Sequence, residues 1–146
     1  HFPIIGTILG LGILITGIIL KNNTVKNTAY VLFIVAAIFA AFSMGTGEGA
    51  EEIVEEIAGV THKIIHEHEE YAEKFALLSY VLAAISSIGI WASWKKKQFV
   101  KYIIYAIGIL ALGTIYLGKL TGNSGGEIRH TEIRPDFIPS EHDDHD

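Results

Sequence analysis

Four long stretches of the sequence carry no charged residue, and this feature constrains the fold more than any other. The stretches are Pro3 to Leu20, Asn27 to Gly47, Ala76 to Trp94 and Tyr102 to Gly118. A helix of about 17–25 apolar residues crosses the ~30 Å hydrocarbon core of a bilayer, and these stretches match that length. A soluble helical bundle would show polar residues recurring about every 3.6 residues on its outer face, and they do not. We therefore predict an all-α four-helix transmembrane bundle with spans at about 3–20, 27–46, 74–94 and 99–118.

The lysines predict how the spans are oriented. The turn after the first span (21–27) and the turn between the third and fourth (95–98) carry lysine as their only charged residue type. Lys and Arg in short loops mark the cytoplasmic side, and Trp91 and Trp94 precede the second turn as an interfacial aromatic belt would. We therefore expect both turns in the cytoplasm. The N-terminus, the long connection 45–73 and the C-terminal tail then lie on the opposite side.

The charged residues outside the spans predict the domain organisation. The long connection alternates glutamates with Ile and Val over 51–57, which predicts an amphipathic helix on the membrane surface. We expect residues 1–120 to form the transmembrane domain, and residues 121–146 to form an extramembrane polar tail, rich in glycine at first and then extended around its prolines. Because the chain begins at His1 and not at methionine, we expect the natural protein to extend further upstream.

Composition excludes several kinds of function. The chain has no cysteine, which excludes cysteine-ligated iron–sulfur clusters, covalently attached c-type haem and disulfides. Its net charge of −5 gives no support for nucleic-acid binding. No Asp, Glu, Lys, Arg or His lies in the middle of a span, so an ion-coupled transporter is not expected. The expected partners are the lipid bilayer and other membrane subunits, with no nucleic acid.

The predicted topology brings polar side chains from all four spans to the non-cytoplasmic end. His1 precedes the first span, Glu48 follows the second, His68 and Glu69 lead into the third, and His130 follows the fourth. Helical bundles commonly build metal and cofactor sites from side chains on facing helices. The candidate haem ligands are therefore His1, His68 and His130, and the candidate metal ligands are His1, Glu48, His68, Glu69 and His130.

Helical spacing separates two faces in the segment that enters the third span. His62, His66, Glu69 and Glu73 are spaced by four, three and four residues, so they share one stripe. His68 is rotated by about 200° from His66, and it lies closer to the membrane. We predict that His68 faces into the bundle. His62 and His66 are then solvated surface residues, with an i, i+4 metal-chelating pair as the alternative.

Short motifs at the non-cytoplasmic ends of the spans occur in a recognisable order. They are His1-Phe2-Pro3-Ile4-Ile5-Gly6, then Thr46-Gly47-Glu48, then His68-Glu69-Glu70-Tyr71-Ala72, and finally Gly125-Gly126 with His130. Over about residues 1–130 this order resembles a bacterial membrane-protein family catalogued as domain of unknown function 2231. The resemblance implies a four-helix protein of the bacterial inner membrane, with the long connection and the tail in the periplasm. It also implies a redox setting, because some members occur beside cytochrome-type or Rieske-type domains, and site positions at His1, Glu48, His68, Glu69, Gly126 and His130.

Three functions are compatible with the sequence. The one we rank first is an accessory subunit of a respiratory-type electron-transfer system, binding b-type haem through two of the three candidate histidines. The second is a membrane protein that binds a divalent metal (Zn, Cu or Fe) through imidazoles and a carboxylate. The third is a purely structural subunit without a cofactor, which contacts other subunits through its tail, residues 131–146. No constellation of catalytic residues is present, so independent enzymatic activity is not expected.

Overall fold

A computed structural model describes residues 1–55 and 62–129 of the protein, with side chains described over 1–47 and 62–128. Within these ranges the chain forms four helices: α1 Phe2–Ile19, α2 Asn23–Glu55, α3 His62–Trp94 and α4 Val100–Arg129. All four are long and apolar enough to cross a membrane. The predicted all-α four-helix bundle of a multi-pass membrane protein is confirmed.

The helices form a closed ring. Each helix packs against the next one in the chain, and α1 packs against α4. The centre of the bundle is apolar, with Leu14, Phe33, Leu82 and Ile107 almost completely buried. Many large apolar side chains lie on the outside instead, among them Ile109, which is 71% exposed. Such an apolar outer surface suits the hydrocarbon layer of a membrane, where the outward side chains of a helix need not be polar.

Buried residues of α3 follow a heptad-like rhythm. Phe75, Ser79, Leu82, Ser86 and Gly89 are all buried and are spaced by four, three, four and three residues. This rhythm keeps one seam of a helix facing its neighbours and produces a left-handed supercoil, the usual geometry of membrane bundles. The row therefore defines the inward face of α3 along its length.

Two helices extend beyond their predicted spans. The described part of the glutamate-rich segment predicted as a surface helix, up to Glu55, is continuous with α2. The fourth span, predicted at about 99–118, belongs to a longer helix, because α4 continues through Thr121 to Arg129. The glycines in this segment are helical, and one of them, Gly125, lies close against the ring of His68 in α3. The extramembrane position of residues 121–129 stays a prediction, and the tail 130–146 lies outside the described residues.

The two short turns close in the same way. Lys21 has a φ of 50°. Its N–H donates a hydrogen bond to the carbonyl oxygen of Ile18, and the N–H of Asn22 donates one to the carbonyl oxygen of Gly17 at 3.0 Å. After α3, Lys96 has the same φ of 50°, and the corresponding pair of backbone hydrogen bonds closes the turn. This arrangement satisfies helix carbonyls and normally has glycine at the left-handed position. Both turns lie at one end of the bundle, which we call the lysine end.

Candidate functional site

His68 lies at the opposite end of the bundle, on the inward face of α3. It precedes Phe75 by seven residues and so extends the buried row of α3 by two turns. His68 is half-buried, whereas the side chain of His66 is 83% exposed. The prediction that His68 faces inward and His66 faces solvent is therefore confirmed. The predicted role of His68 as a ligand stays a prediction.

A hydrogen bond fixes the ring of His68 against α4. Its Nδ1 lies 2.9 Å from Oγ of Ser124. The Ser124 hydroxyl directs its one proton to the carbonyl oxygen of Thr121, at 3.1 Å. With that proton directed to Thr121, we assign Nδ1 of His68 as the donor and Ser124 Oγ as the acceptor. In this tautomer Nε2 carries the free lone pair.

The ring of His68 fits over a glycine. A Cβ atom added at Gly125 would lie 3.0 Å from Cε1 and 3.4 Å from Nδ1 of His68. One turn earlier, Ile4 of α1 lies against Gly118 and Gly122. The three glycines are spaced by four and three residues, so they share one face of α4. This face brings α1, α3 and α4 close together at the His68 end.

The surroundings of His68 favour its neutral form. Burial lowers the pKa of His68 below its ordinary value, and a hydrogen bond with the Thr121 backbone offsets part of that effect. We expect the residue to lie outside the hydrocarbon layer, because α3 has 33 residues, about 50 Å of helix, and charged residues lie on both sides of His68 in the sequence, from Glu67 to Lys74. At neutral pH the imidazole is therefore uncharged, with a lone pair on Nε2.

The other charges of this segment lie on the outer faces of α3. Nζ of Lys74 lies 2.6 Å from a carboxylate oxygen of Glu70, an exposed pair one turn apart. Oε2 of Glu69 lies 3.9 Å from Nδ1 of His66. Glu69, a predicted metal ligand, thus lies beside the exposed His66. Such exposed pairs contribute little to stability.

The remaining predicted ligands are only partly described. His1 is exposed and precedes the first residue of α1. Glu48 belongs to α2, but its side chain lies outside the described part, as does all of His130. Gly126 is a half-buried helical residue of α4. Among the residues that the structure describes, no three His, Asp or Glu side chains gather closely enough to hold a metal ion.

Sequence reasoning missed the partners of His68. Ser124 is buried and Gly125 is half-buried, yet both fall in a segment rich in glycine and polar residues. The signal that points to them is the continued helical spacing of Gly118, Gly122 and Gly125. It also missed Tyr30, whose ring lies against Gly89 in the bundle core. The hydroxyls of Tyr30 and Ser86 are buried and have no hydrogen-bond partner among the described residues.

Comparison with protein-family models, with curated proteins and with solved structures gives no match for this chain.

Proposed function

We propose that this protein is an accessory subunit of a membrane electron-transfer complex, and that His68 is a ligand of a b-type haem at the end of the bundle facing away from the cytoplasm. The four membrane-spanning helices and their apolar outer surface support an integral subunit. The lysine turns at the other end support this orientation by the positive-inside rule.

The hydrogen bond between His68 and Ser124 is the observation that carries the proposal. Histidine ligands usually donate their second ring N–H to a neighbouring acceptor, which fixes the tautomer and the ring orientation. His68 makes this arrangement with Ser124 at 2.9 Å. The lowered pKa of His68 keeps the imidazole neutral, as ligation requires. The residue is thus prepared as a ligand through Nε2.

The register of α1 makes His1 the best-supported second ligand. Ile4 contacts Gly118 and Gly122 of α4, and His1 lies three residues further out along an antiparallel helix. At about 1.5 Å per residue this offset brings His1 to the level of Gly125, where His68 lies. His130, the third candidate, follows α4 directly in the chain and lies outside the described residues.

The described residues supply one oriented imidazole ligand, but they do not supply a complete set of ligands. His68 is oriented and neutral, but its described surroundings hold no set of three metal ligands. A haem with two axial histidines requires only one further imidazole, whereas a structural zinc site requires about four ligands. We rank haem first because it requires fewer protein ligands. Haem would supply one-electron transfer, and His68, Ser124 and Gly125 would hold the ligand ring in place.

Optical spectra and metal analysis on one purified sample test the proposal. We expect a reduced-minus-oxidised spectrum with a Soret shift, and about one iron per protein. His68→Ala should lose the spectrum and the iron, whereas His66→Ala, which removes an exposed histidine of the same helix, should keep both. Zinc or copper at stoichiometry without porphyrin would replace haem by the divalent-metal function. A wild-type protein with neither, purified with its partner subunits, would leave the purely structural function and contradict the ligand role.

A further inference from the structure

Lysines without neighbouring carboxylates concentrate at the lysine end of the bundle. The chain has 16 Asp and Glu residues, and none of them lies within 1–47 or 74–126. Six of the 11 Lys and Arg residues flank the two short turns: Lys21, Lys26, Lys95, Lys96, Lys97 and Lys101. The lysine end therefore carries six positive charges with no carboxylate near them in the sequence. Such an end attracts anions.

A cavity opens at this end between the beginning of α2 and the turn from α3 to α4. It has a volume of about 320 Å³, and its wall includes four lysines and two neutral polar residues: Lys26, Lys96, Lys97, Lys101, Asn23 and Ser93. Liquid water occupies about 30 Å³ per molecule, so the cavity has room for a group of roughly ten non-hydrogen atoms. A phosphate with a short polyol has that size.

Two helices begin at the wall of the cavity. Asn23 is the first residue of α2 and Val100 the first residue of α4, and both line it. The N-terminus of a helix carries a partial positive charge, which favours an anion. At α2 the N–H groups of Thr24 and Val25 already donate to Oδ1 of Asn22, so the contribution of the helix is this charge. The helix termini and the four lysines thus act in the same direction.

The lysines of the cavity contact other side chains and helix backbone, but no carboxylate among the described residues. The stem of Lys26 packs where Gly17 of α1 has no side chain. Nζ of Lys97 lies 5.8 Å from the ring centre of Trp91, and Nζ of Lys101 lies 4.9 Å from that of Tyr102. In the described part of the chain none of the four forms an ion pair. Their charges therefore remain available to a bound anion.

We propose that this cavity binds the phosphate of an anionic phospholipid headgroup from the leaflet that contacts the lysine turns. The rim favours a lipid over free phosphate, because Trp91, Trp94 and Tyr102 are exposed there, at 48%, 77% and 65%. Trp and Tyr concentrate at the membrane interface, where headgroups lie. Basic pockets between membrane helices on the cytoplasmic side suit anionic headgroups. The site is at the opposite end from His68 and does not depend on the function proposed for that residue.

Lipid titration followed by native mass spectrometry tests this site. The purified full chain in neutral detergent is titrated with phosphatidylglycerol, with phosphatidylcholine of the same acyl chains, and separately with inorganic phosphate. The variant is Lys97→Gln with Lys101→Gln. The control is Lys63→Gln with Lys119→Gln, which removes the same charge from exposed positions away from the cavity.

We expect phosphatidylglycerol to bind more tightly than phosphatidylcholine. Each lysine near a membrane surface contributes about a fivefold preference for an anionic lipid, so the variant should weaken binding roughly 25-fold. The control should bind as the wild type does. Equal binding of the two lipids, or an equal loss in the control, would overturn the proposal. A different result would be binding of inorganic phosphate that depends on Lys97 and Lys101 and is not competed by phosphatidylglycerol. That result would assign the site to free phosphate and overturn the proposed lipid ligand.

Discussion

Nδ1 of His68 in α3 and Oγ of Ser124 in α4 form a hydrogen bond of 2.9 Å that joins residues 56 positions apart in the sequence. The bond joins two antiparallel helices at the end of the bundle where α1 also packs. It sets the tautomer of the imidazole and the direction of its lone pair. The candidate site thus depends on how α3 and α4 are aligned.

Replacing Ser124 by Ala should destabilise the protein. The Nδ1–H of His68 would lose its acceptor in a half-buried position, and an unpaired donor of this kind costs about 1–2 kcal/mol. The measurement is the free energy of unfolding in detergent. Ser87→Ala is the matched control, because the Ser87 hydroxyl is exposed and bonds only the Ala83 carbonyl of its own helix, at 2.9 Å. Equal losses in both variants would mean that the bond to His68 adds nothing.

Alanine at Gly125 should displace the His68 ring. Its Cβ would lie 3.0 Å from Cε1 of His68, so the ring must shift from the position in which it bonds Ser124. Gly122→Ala is the control, since the nearest side-chain atom, Cδ1 of Ile4, would lie 4.0 Å away. Alanine for glycine inside a helix stabilises by about 1 kcal/mol. We expect Gly122→Ala to be neutral or stabilising and Gly125→Ala to be clearly less stable than it. A Gly125→Ala protein as stable as the control, with an unchanged His68 NMR signal, would contradict this geometry.

The burial of His68 predicts a pH dependence of stability. Burial holds the pKa of His68 below its ordinary value of 6.5 in the folded protein, so the unfolded chain binds the proton more readily. The contribution of neutral His68 to the stability of the fold is fully present above the pKa of the unfolded chain. It is lost as pH falls from there through the lowered pKa of the folded protein. Thermal unfolding between pH 7.5 and 5 should show this loss. His68→Gln should reduce the slope of stability against pH, and His66→Gln should leave that slope unchanged. Equal slopes for the wild type and His68→Gln would refute the assignment of the pH dependence to His68.

The sequence predicts the spans well and the details of the His68 site poorly, for physical reasons. Charge-free stretches of membrane length leave the chain little choice, and helical phase together with closeness to the span predicted the inward direction of His68. The continuation of α4 beyond its predicted span was not foreseen, because Gly122 and Gly125 are weak helix formers in isolation. In the bundle, packing of Ile4 and His68 against them outweighs that preference. Ser124 could not be paired with His68 from sequence, because the pairing depends on the relative register of two helices.

Alanine at Gly10 should loosen the contact between α1 and α2. Its Cβ would lie 2.6 Å from Cε1 of Phe33, a side chain that is only 1% exposed and has little room to move. Overpacking of this kind costs about 1–3 kcal/mol. Gly12→Ala, two residues away in α1, is the control, because nothing lies within 4 Å of its added Cβ. The comparison uses unfolding in detergent, and a Gly10→Ala protein at least as stable as Gly12→Ala would show that α1 does not approach α2 so closely.

Glycine at Lys21 should stabilise the first turn. Lys21 has a φ of 50°, in the left-handed region, where a residue with a Cβ is disfavoured by about 1–2 kcal/mol. Glycine has no such penalty but loses more entropy on folding, so the expected net gain is about 0.5–1 kcal/mol. Leu20, the preceding exposed residue, has a φ of −75°, so Leu20→Gly should destabilise. Lys21 does not line the phosphate cavity, so Lys21→Gly should leave the preference for phosphatidylglycerol within about fivefold. A loss of stability in Lys21→Gly equal to that in Leu20→Gly would mean that the turn does not close through a left-handed residue at this position.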